Sequence, residues 1–499
     1  MPNKPETPEI FRGEIKVASR IVDYLSSGLY PSPAACLKEL INNAYDADAV
    51  NVRVYVKPDA DRIVIEDDGH GMSKEDFIKH FSRVSESHKR DSSDQTASKR
   101  PKIGKIGIGF IAANEICEVM EIFSTKVGST ELLHVTINFS EMTKPLEERR
   151  RNGDIVKADY EGEILLAAKD DHYTHIFLES VRGEARNILA GAASQGKETA
   201  SRSLYGKSAE TIVDELKSPS LKSWKDFDFY SETMLKVALN IPVQYATGWI
   251  PEKLANTTKE LEKAAAKLNF NVYYDGTELR KSVVFAPGDK KCLVVPFNFD
   301  GKHVKAKGYI FAQHGSVKPQ EMHGLLVRIR NSAVGEFDPS FWGFTPSTAP
   351  LIQRWVSAEI WADDGLEEAM NIDRSTLREA HPAYVELREE LHRTLNKVFG
   401  IAKKQLYDAG SIVRKKANAK LSVGQLSEAL DTLPQISTRA IKQINSAWSA
   451  QTSTPAAAIK KYSVTEFYKL VVEASDGVLS PEQLEKLLKR LTERLTQWQ

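Results

Sequence analysis

The chain has 499 residues and a mass of 55.7 kDa, with 41% hydrophobic and 27% charged residues, enough sequence for about three domains. Its 68 basic and 68 acidic residues cancel, and the pI is about 7.2, so a global polyanion-binding surface is not indicated and nucleic acid would need a local patch. No apolar run approaches the roughly 18 residues that cross a bilayer, Met1-Pro-Asn-Lys-Pro-Glu6 lacks the apolar stretch of a signal peptide, and Cys36, Cys117 and Cys292 are too far apart for a metal cluster or a disulfide framework, which points to buried thiols in a reducing cytoplasm.

From the N-terminus, Ile15, Val17, Ala18, Ile21, Val22 and Leu25 suggest an amphipathic helix over 11–27, which Tyr30-Pro-Ser-Pro33 then breaks. Next comes Glu39-Leu-Ile-Asn-Asn43-Ala-Tyr-Asp46-Ala47. Glu39, Asn43 and Asp46 fall at helical spacing and share one face. Buried without partners, such groups cost roughly 1–3 kcal/mol each, so the face reads as a site wall, against the plainer alternative of a solvated helix face. The run Ile63-Val-Ile65 reads as a buried strand that ends in Asp67-Asp-Gly69-His-Gly71-Met72, a turn offering a carboxylate and glycines that admit a flat ligand.

Residues 81–100 are polar and lack apolar periodicity in their second half, as a mobile cover would. Lys102-Ile-Gly104-Lys-Ile-Gly107-Ile-Gly109-Phe110 follows, leading into a helix-compatible run. Glycines before a helix start present free backbone amides, a ready phosphate cradle. Each glycine motif is weak alone; all three motifs in this order within about seventy residues are a strong signal. Residues 118–180 alternate as a mixed or antiparallel sheet would, with His172-Tyr-Thr174-His-Ile176 on one of the later strands.

Further on, strands are expected at Asn271–Tyr274, Val283–Ala286, Cys292–Phe297, Lys305–Phe311 and Leu325–Ile329. Arg328 and Arg330 would share one face of the last strand, read as solvated, with an interdomain face as the second reading. Residues 401–499 read as helical. They include a basic stretch from Lys403 to Lys420, a linker near 451–458, and an amphipathic helix opened by Ser480-Pro-Glu-Gln483.

Taken together, Glu39/Asn43/Asp46-Ala47, Asp67/Gly69/Gly71 and Gly104/Gly107/Gly109 resemble the Bergerat-fold (GHKL) ATPases, the superfamily of Hsp90, DNA gyrase B, MutL and histidine kinases. The resemblance implies ATP and Mg2+ as ligands. Glu39 would be the general base for the attacking water and Asn43 the Mg2+ ligand. Asp67 would accept the adenine amino group, with Asp46, Ala47, Gly69, Gly71 and Met72 completing the pocket. Gly104, Lys105, Ile106, Gly107, Ile108, Gly109 and Phe110 would cradle the phosphates and close the hinge of a lid. Ser87 and Lys89 resemble a nucleotide-contacting element of MutL-like members, and Thr174 resembles a threonine on the adenine side, although the glycine that precedes it in relatives is missing here.

The region from Gly324 through Trp355-Val-Ser-Ala-Glu-Ile-Trp361 to Asn371-Ile-Asp-Arg374-Ser resembles the Hsp90 middle domain, where a matching arginine reaches the ATP γ-phosphate. Arg374 would play that part, with Asp373 and Ser375 departing from the family pattern. The implied architecture is α+β: a Bergerat α/β-sandwich ATPase domain over 1–235, a second α/β domain similar to ribosomal protein S5 and the Hsp90 middle domain over 236–400, and a helical region over 401–499. The implied role is an Hsp90-like ATPase clamp acting on a protein partner, homodimeric at least with ATP bound, with no membrane. A MutL- or MORC-like DNA clamp and a nucleotide sensor in a bacterial defence system are the alternatives.

Overall fold

The computed structural model describes residues 9–18, 32–56, 60–81, 95–104, 109–140, 155–191, 202–345, 353–371, 374–404, 471–475 and 479–496. In chain order these form β1 (Glu9–Ala18), α1 (Pro33–Asp46), β2 (Asn51–Tyr55), β3 (Ile63–Asp67), α2 (Lys74–Phe81), a 3-10 segment (Gly109–Glu115), β4 (Cys117–Thr125), β5 (Glu131–Asn138), β6 (Ile155–Leu166), β7 (Tyr173–Val181), α3 (Gly183–Leu189), α4 (Ala209–Leu216), α5 (Phe229–Asn240), α6 (Ala255–Ala266), β8 (Asn271–Tyr274) and β9 (Thr277–Glu278). There follow β10 (Cys292–Asp300), β11 (Lys305–Gln313), β12 (Gly324–Ile329), β13 (Ser332–Asp338), β14 (Val356–Ala362), α7 (Asp364–Glu367), α8 (Pro382–Ala402) and α9 (Pro481–Thr496).

The architecture is α+β. One sheet runs β1-β6-β5-β4-β7-β3-β2-β8-β9 and a second runs β10-β11-β14-β12-β13. Residues 1–408 are one compact unit and 409–499 another. The helix expected over 11–27 is replaced, in its first half, by β1, which pairs antiparallel with β6 from Glu9↔Ile164 to Ala18↔Ile155. The same residues satisfy a period of two: Phe11 packs against the core and Ile15 lies in it, while Arg12 and Glu14 are exposed. A gap in the long antiparallel edge is filled at the cost of the weaker helical pattern.

The division expected at 235/236 falls inside α5. Beyond it, β8 pairs parallel with β2 and carries β9 along, so residues 271–278 extend the first sheet. Val283–Ala286 is irregular rather than a strand: its buried side chains pack on the 246–249 turn, where Phe285 N donates to the Trp249 carbonyl (2.6 Å). The other four expected strands form.

In the second sheet β12, β14 and the second half of β11 are buried on both faces, which explains why they read as nearly continuous apolar runs. On β11, Ile310 and Ala312 face α8 (Leu387, Leu391, Leu395, Val398), and Tyr309 and Phe311 face the first core with Trp249 and Phe285. Arg328, on the first-core side of β12, is therefore not solvated as expected. It is fully buried, donates from Nε to Glu359 (2.7 Å) and from Nη1 to the Leu239 carbonyl (2.8 Å), while Tyr245 and Tyr309 hydroxyls donate to the other Glu359 oxygen. Cys36 and Cys117 are buried free thiols, and burial pushes Cys117 up to about 12, which makes it a poor nucleophile. No helix among the described residues is long and apolar enough to cross a membrane. In the second unit, Ser480 and Gln483 exchange hydrogen bonds at the start of α9, the expected capping box.

Because removing one member of a buried ion pair strands the other charge, Arg328→Met should destabilise the folded unit by roughly 3–5 kcal/mol. The loss should be markedly smaller when Glu359→Leu accompanies it, both read from urea unfolding midpoints.

Candidate functional site

The three motifs converge at the C-terminal end of α1. Pro33 at the first turn starts that helix, and it ends at Ala47, where Asp48 takes a left-handed turn (φ 61°) into β2. The Asp46 carboxylate accepts the amides of Ile103 and Gly104, both at 2.7 Å. The Ala47 carbonyl accepts His70 N at 2.8 Å, so the helix end holds both glycine turns at once.

Each glycine of the first turn has a steric reason. A Cβ on Gly69 would lie 2.8 Å from the Ala47 carbonyl oxygen, and one on Gly71 (φ 67°) would lie 1.9 Å from the Thr125 carbonyl oxygen. Close packing of the turn against α1 and β4, rather than room for a ligand alone, accounts for Gly69, Gly71 and the small Ala47. The neighbouring aspartates divide the work. Asp68 ties down the start of β2 through Val50 N, Asn51 N and Asn51 Nδ2 at 2.7–2.8 Å. Asp67, 8% exposed, is held only by Gly69 N (2.9 Å) among the described residues. Burial pushes its carboxyl up to about 7.

Thr174 sits directly across from Asp67 in the β3–β7 register, and Ser124 sits across from Thr174 on β4. Sequence reading missed Ser124. Its hydroxyl donates to the Tyr173 carbonyl (3.0 Å), accepts Met72 N (2.9 Å) and meets Thr174 Oγ1 at 2.9 Å. A serine has one proton to give, so Thr174 supplies the proton of their contact and keeps its lone pairs as acceptors beside Asp67. Met72 is held by its backbone. His172 Nδ1 donates to the Gly69 carbonyl (2.8 Å) and steadies the same turn.

Two turns up α1 from Asp46, Glu39 is 8% exposed and its carboxylate makes no hydrogen bond among the described residues; neither does the Asn43 side amide. The adjacent stripe of α1 faces the second sheet instead: Lys38 Nζ reaches the Ala333 carbonyl (3.3 Å) and Asn42 Nδ2 reaches Ser332 Oγ (3.5 Å). Two arginines meet the entry to the glycine loop, one from the second sheet and one from the connection between α7 and α8. Arg330, at the β12–β13 turn with φ 53°, donates to the Lys102 carbonyl, and Arg374, also left-handed (φ 52°), donates to the Ile103 carbonyl. Arg330 is thus buried against the glycine-loop entry, and the solvated reading of its position does not hold.

Gly109 and Phe110 begin the 3-10 segment. Ser87, Lys89, Lys105, Ile106, Gly107, Ile108 and Asp373 lie outside the described residues, as do Arg414, Lys415, Lys416 and Lys420 of the basic stretch. No group of three or more His, Cys, Asp or Glu is placed to hold a metal among the described residues.

Residues 31–172 match the family of Histidine kinase-, DNA gyrase B-, and HSP90-like ATPases. A chaperone protein HtpG from Methylobacterium sp. (strain 4-46) is 31% identical over 134 residues, 22% of this chain and 22% of that protein. A putative type II restriction enzyme HgiDII from Herpetosiphon aurantiacus is 37% identical over 115 residues, 23% of this chain and 18% of that protein. The chain thus matches about a fifth of the length of each of these curated relatives. Its N-terminal part is a GHKL ATPase domain of the Hsp90-like superfamily.

The raised Asp67 carboxyl has a signed consequence. Between its ordinary 3.8 and about 7 the folded state keeps a proton that the unfolded chain has released, so the stability gained from protonation is full at low pH and is lost as pH rises through about 7. Asp67→Asn keeps an oxygen for Gly69 N. It should flatten the profile of unfolding free energy against pH between about 5 and 7.5, measured by urea titration.

Proposed function

We propose that this chain, with its GHKL ATPase domain, binds ATP with Mg2+ and hydrolyses it as an Hsp90-like conformational clamp acting on a partner protein. One observation carries the reading: the 8% exposed Glu39 and the half-buried Asn43 share a helix face and make no side-chain hydrogen bond among the described residues, while the next acidic group on that face, Asp46, holds the entry to the glycine loop. A carboxylate so far withdrawn from water gains from a partner, and a nucleotide with its metal would supply one.

The chemistry of the described residues supports this reading. Asp67 and Thr174 offer adjacent acceptors suited to an exocyclic amine of the adenine. Asn43 would be the protein ligand of Mg2+, with phosphate oxygens and water completing the shell, as this metal prefers. When bound, the ion supplies neutralisation of phosphate charge. Glu39 would orient a water and accept its proton as the water oxygen bonds to the γ-phosphorus and the ADP oxygen departs. Arg374 is the candidate cation for charge developing on the transferred phosphoryl group, since a planar guanidinium pairs bidentately with phosphate oxygens. Such reactions rest on positioning and electrostatics more than on covalent help. Gly104 to Phe110, with Ser87 and Lys89 from the preceding polar segment, would enclose the phosphates; lid closure of this kind commonly limits turnover. The clamp would work in the cytoplasm, as a homodimer when ATP is bound.

A second reading, an ATP-gated DNA clamp or a component of a bacterial defence system, draws on the similarity to a protein named as a putative restriction enzyme. DNA binding that weakens steeply with salt would favour it; its absence would favour a protein partner.

Glu39→Gln should lower phosphate release by about 10²–10⁴-fold, the usual worth of a general base, while calorimetry shows ATP affinity within about threefold of the parent. Undiminished hydrolysis in that variant would overturn the mechanism.

A further inference from the structure

Lys102–Gly104, the entry to the glycine loop, is bonded from two sides. Asp46 takes the amides of Ile103 and Gly104, while Arg330 at the β12–β13 turn and Arg374 between α7 and α8 donate to the carbonyls of Lys102 and Ile103. The arginines differ in what else they touch. Arg330 is itself held by α7: its Nε meets Asp364 at 2.8 Å and its Nη2 meets Glu367 at 3.0 Å, with the Arg330 side chain 4% and the Glu367 side chain 9% exposed. The left-handed pair Arg330-Asn331 (φ 53° and 67°) makes a two-residue hairpin turn, whose backbone fixes where the side chain leaves the sheet. A guanidinium has five donors in one rigid plane; here it donates to the Lys102 carbonyl and to Asp364, while Glu367 stands at ion-pair distance from Nη2 without the geometry of a hydrogen bond.

We propose that Arg330 is a positioning residue for the nucleotide site: aimed by Asp364 and Glu367, it tethers the Lys102 carbonyl and so fixes the entry to the glycine loop, Lys102–Gly104, where Asp46 holds it from the other side. The proposal rests on the ATP reading for what the loop receives, but not for the tether itself. Its role is separable from that of Arg374. A tether lowers the ordering cost of binding and acts on ADP and ATP alike. A cation that meets developing charge acts on turnover.

The test uses the full chain and two substitutions, Arg330→Met and the isosteric Glu367→Gln, the second covering the case in which the first does not fold. Hydrogen exchange without added nucleotide should quicken at the Ile103 and Gly104 amides by about tenfold or more in each folded variant, with exchange in β4 and β5 unchanged. Calorimetry should show Kd rising by about tenfold for both ADP and a non-hydrolysable ATP analogue, with kcat at saturating ATP within about threefold. Unchanged exchange at those amides overturns the proposal, as does a fall in kcat with Kd unmoved. Should the parent chain bind no adenine nucleotide while exchange still quickens in the variants, the tether stands and the ATP reading falls.

Discussion

The paired hydrogen bonds from Asp46 to the Ile103 and Gly104 amides are the constraint from which the site is built. Asp46 is the last residue of α1, and that helix has no basic residue in its last turn. A carboxylate at a helix C-terminus meets the negative end of the dipole and is disfavoured there. Two short amide bonds offset this cost, and they do so only if the glycine loop returns to that spot. Neighbouring bonds guide the return: Ser98 N donates to Asp48, and Arg100 donates to the Ala49 and Asn269 carbonyls while lying over the rings of Tyr45 and Phe270. Asp46 is therefore a residue that shapes the loop entry, while Glu39 and Asn43, on the same helix face, make no side-chain hydrogen bond among the described residues.

Much of this was legible because helical geometry is rigid. A 3.6-residue repeat puts Glu39, Asn43 and Asp46 on one face whatever surrounds them, and glycine spacing marks turns. The spacing Asp67-x-Gly69-x-Gly71 singles out Asp67 over Asp68. Three particulars were not legible. Ser124 looks like any strand serine until Thr174 is placed beside it. Lys38, Asn42 and Arg330 have partners more than two hundred residues away in the chain, and no periodicity encodes such a contact. The run from Phe11 to Ala18 fits both periods, and an open sheet edge decided between them.

The buried polar network beneath α5 explains how the second sheet is registered against the first. Arg328, Glu359, Tyr245 and Tyr309 bond one another. Lys281 joins them through the Ile241 carbonyl (3.2 Å) and the Tyr245 ring, its ammonium pushed well below its usual range by burial and by Arg328. Apolar packing alone tolerates sliding, because it is non-directional. A guanidinium shared between a strand carboxylate and the carbonyl of Leu239 accepts few alternatives, and the carbonyl of Asn240, next along, receives Ser332 Oγ at 3.2 Å. Ser332 in turn faces Asn42 of α1. The chain of contacts therefore runs from a buried ion pair to the helix that carries Glu39.

That continuity limits what a nucleotide could move. β8 and β9 are strands of the first sheet although they follow α5 in sequence, and one face of the second sheet contributes Tyr309, Phe311, Leu326, Ala333 and Phe337 to the first core. Separating these layers would expose a stack of aromatic rings that includes Trp249 and Phe285, a large hydrophobic cost. A ligand shifts an equilibrium only by its differential affinity for the two states, so the segments it can most readily move are those held by a few polar bonds. The Lys102–Gly104 segment is one: polar bonds to Asp46, Arg330 and Arg374 hold its backbone, and moving it breaks no part of the core. On the proposed reading, the response to nucleotide is then best sought in this segment, with the second sheet serving as the fixed body against which it moves.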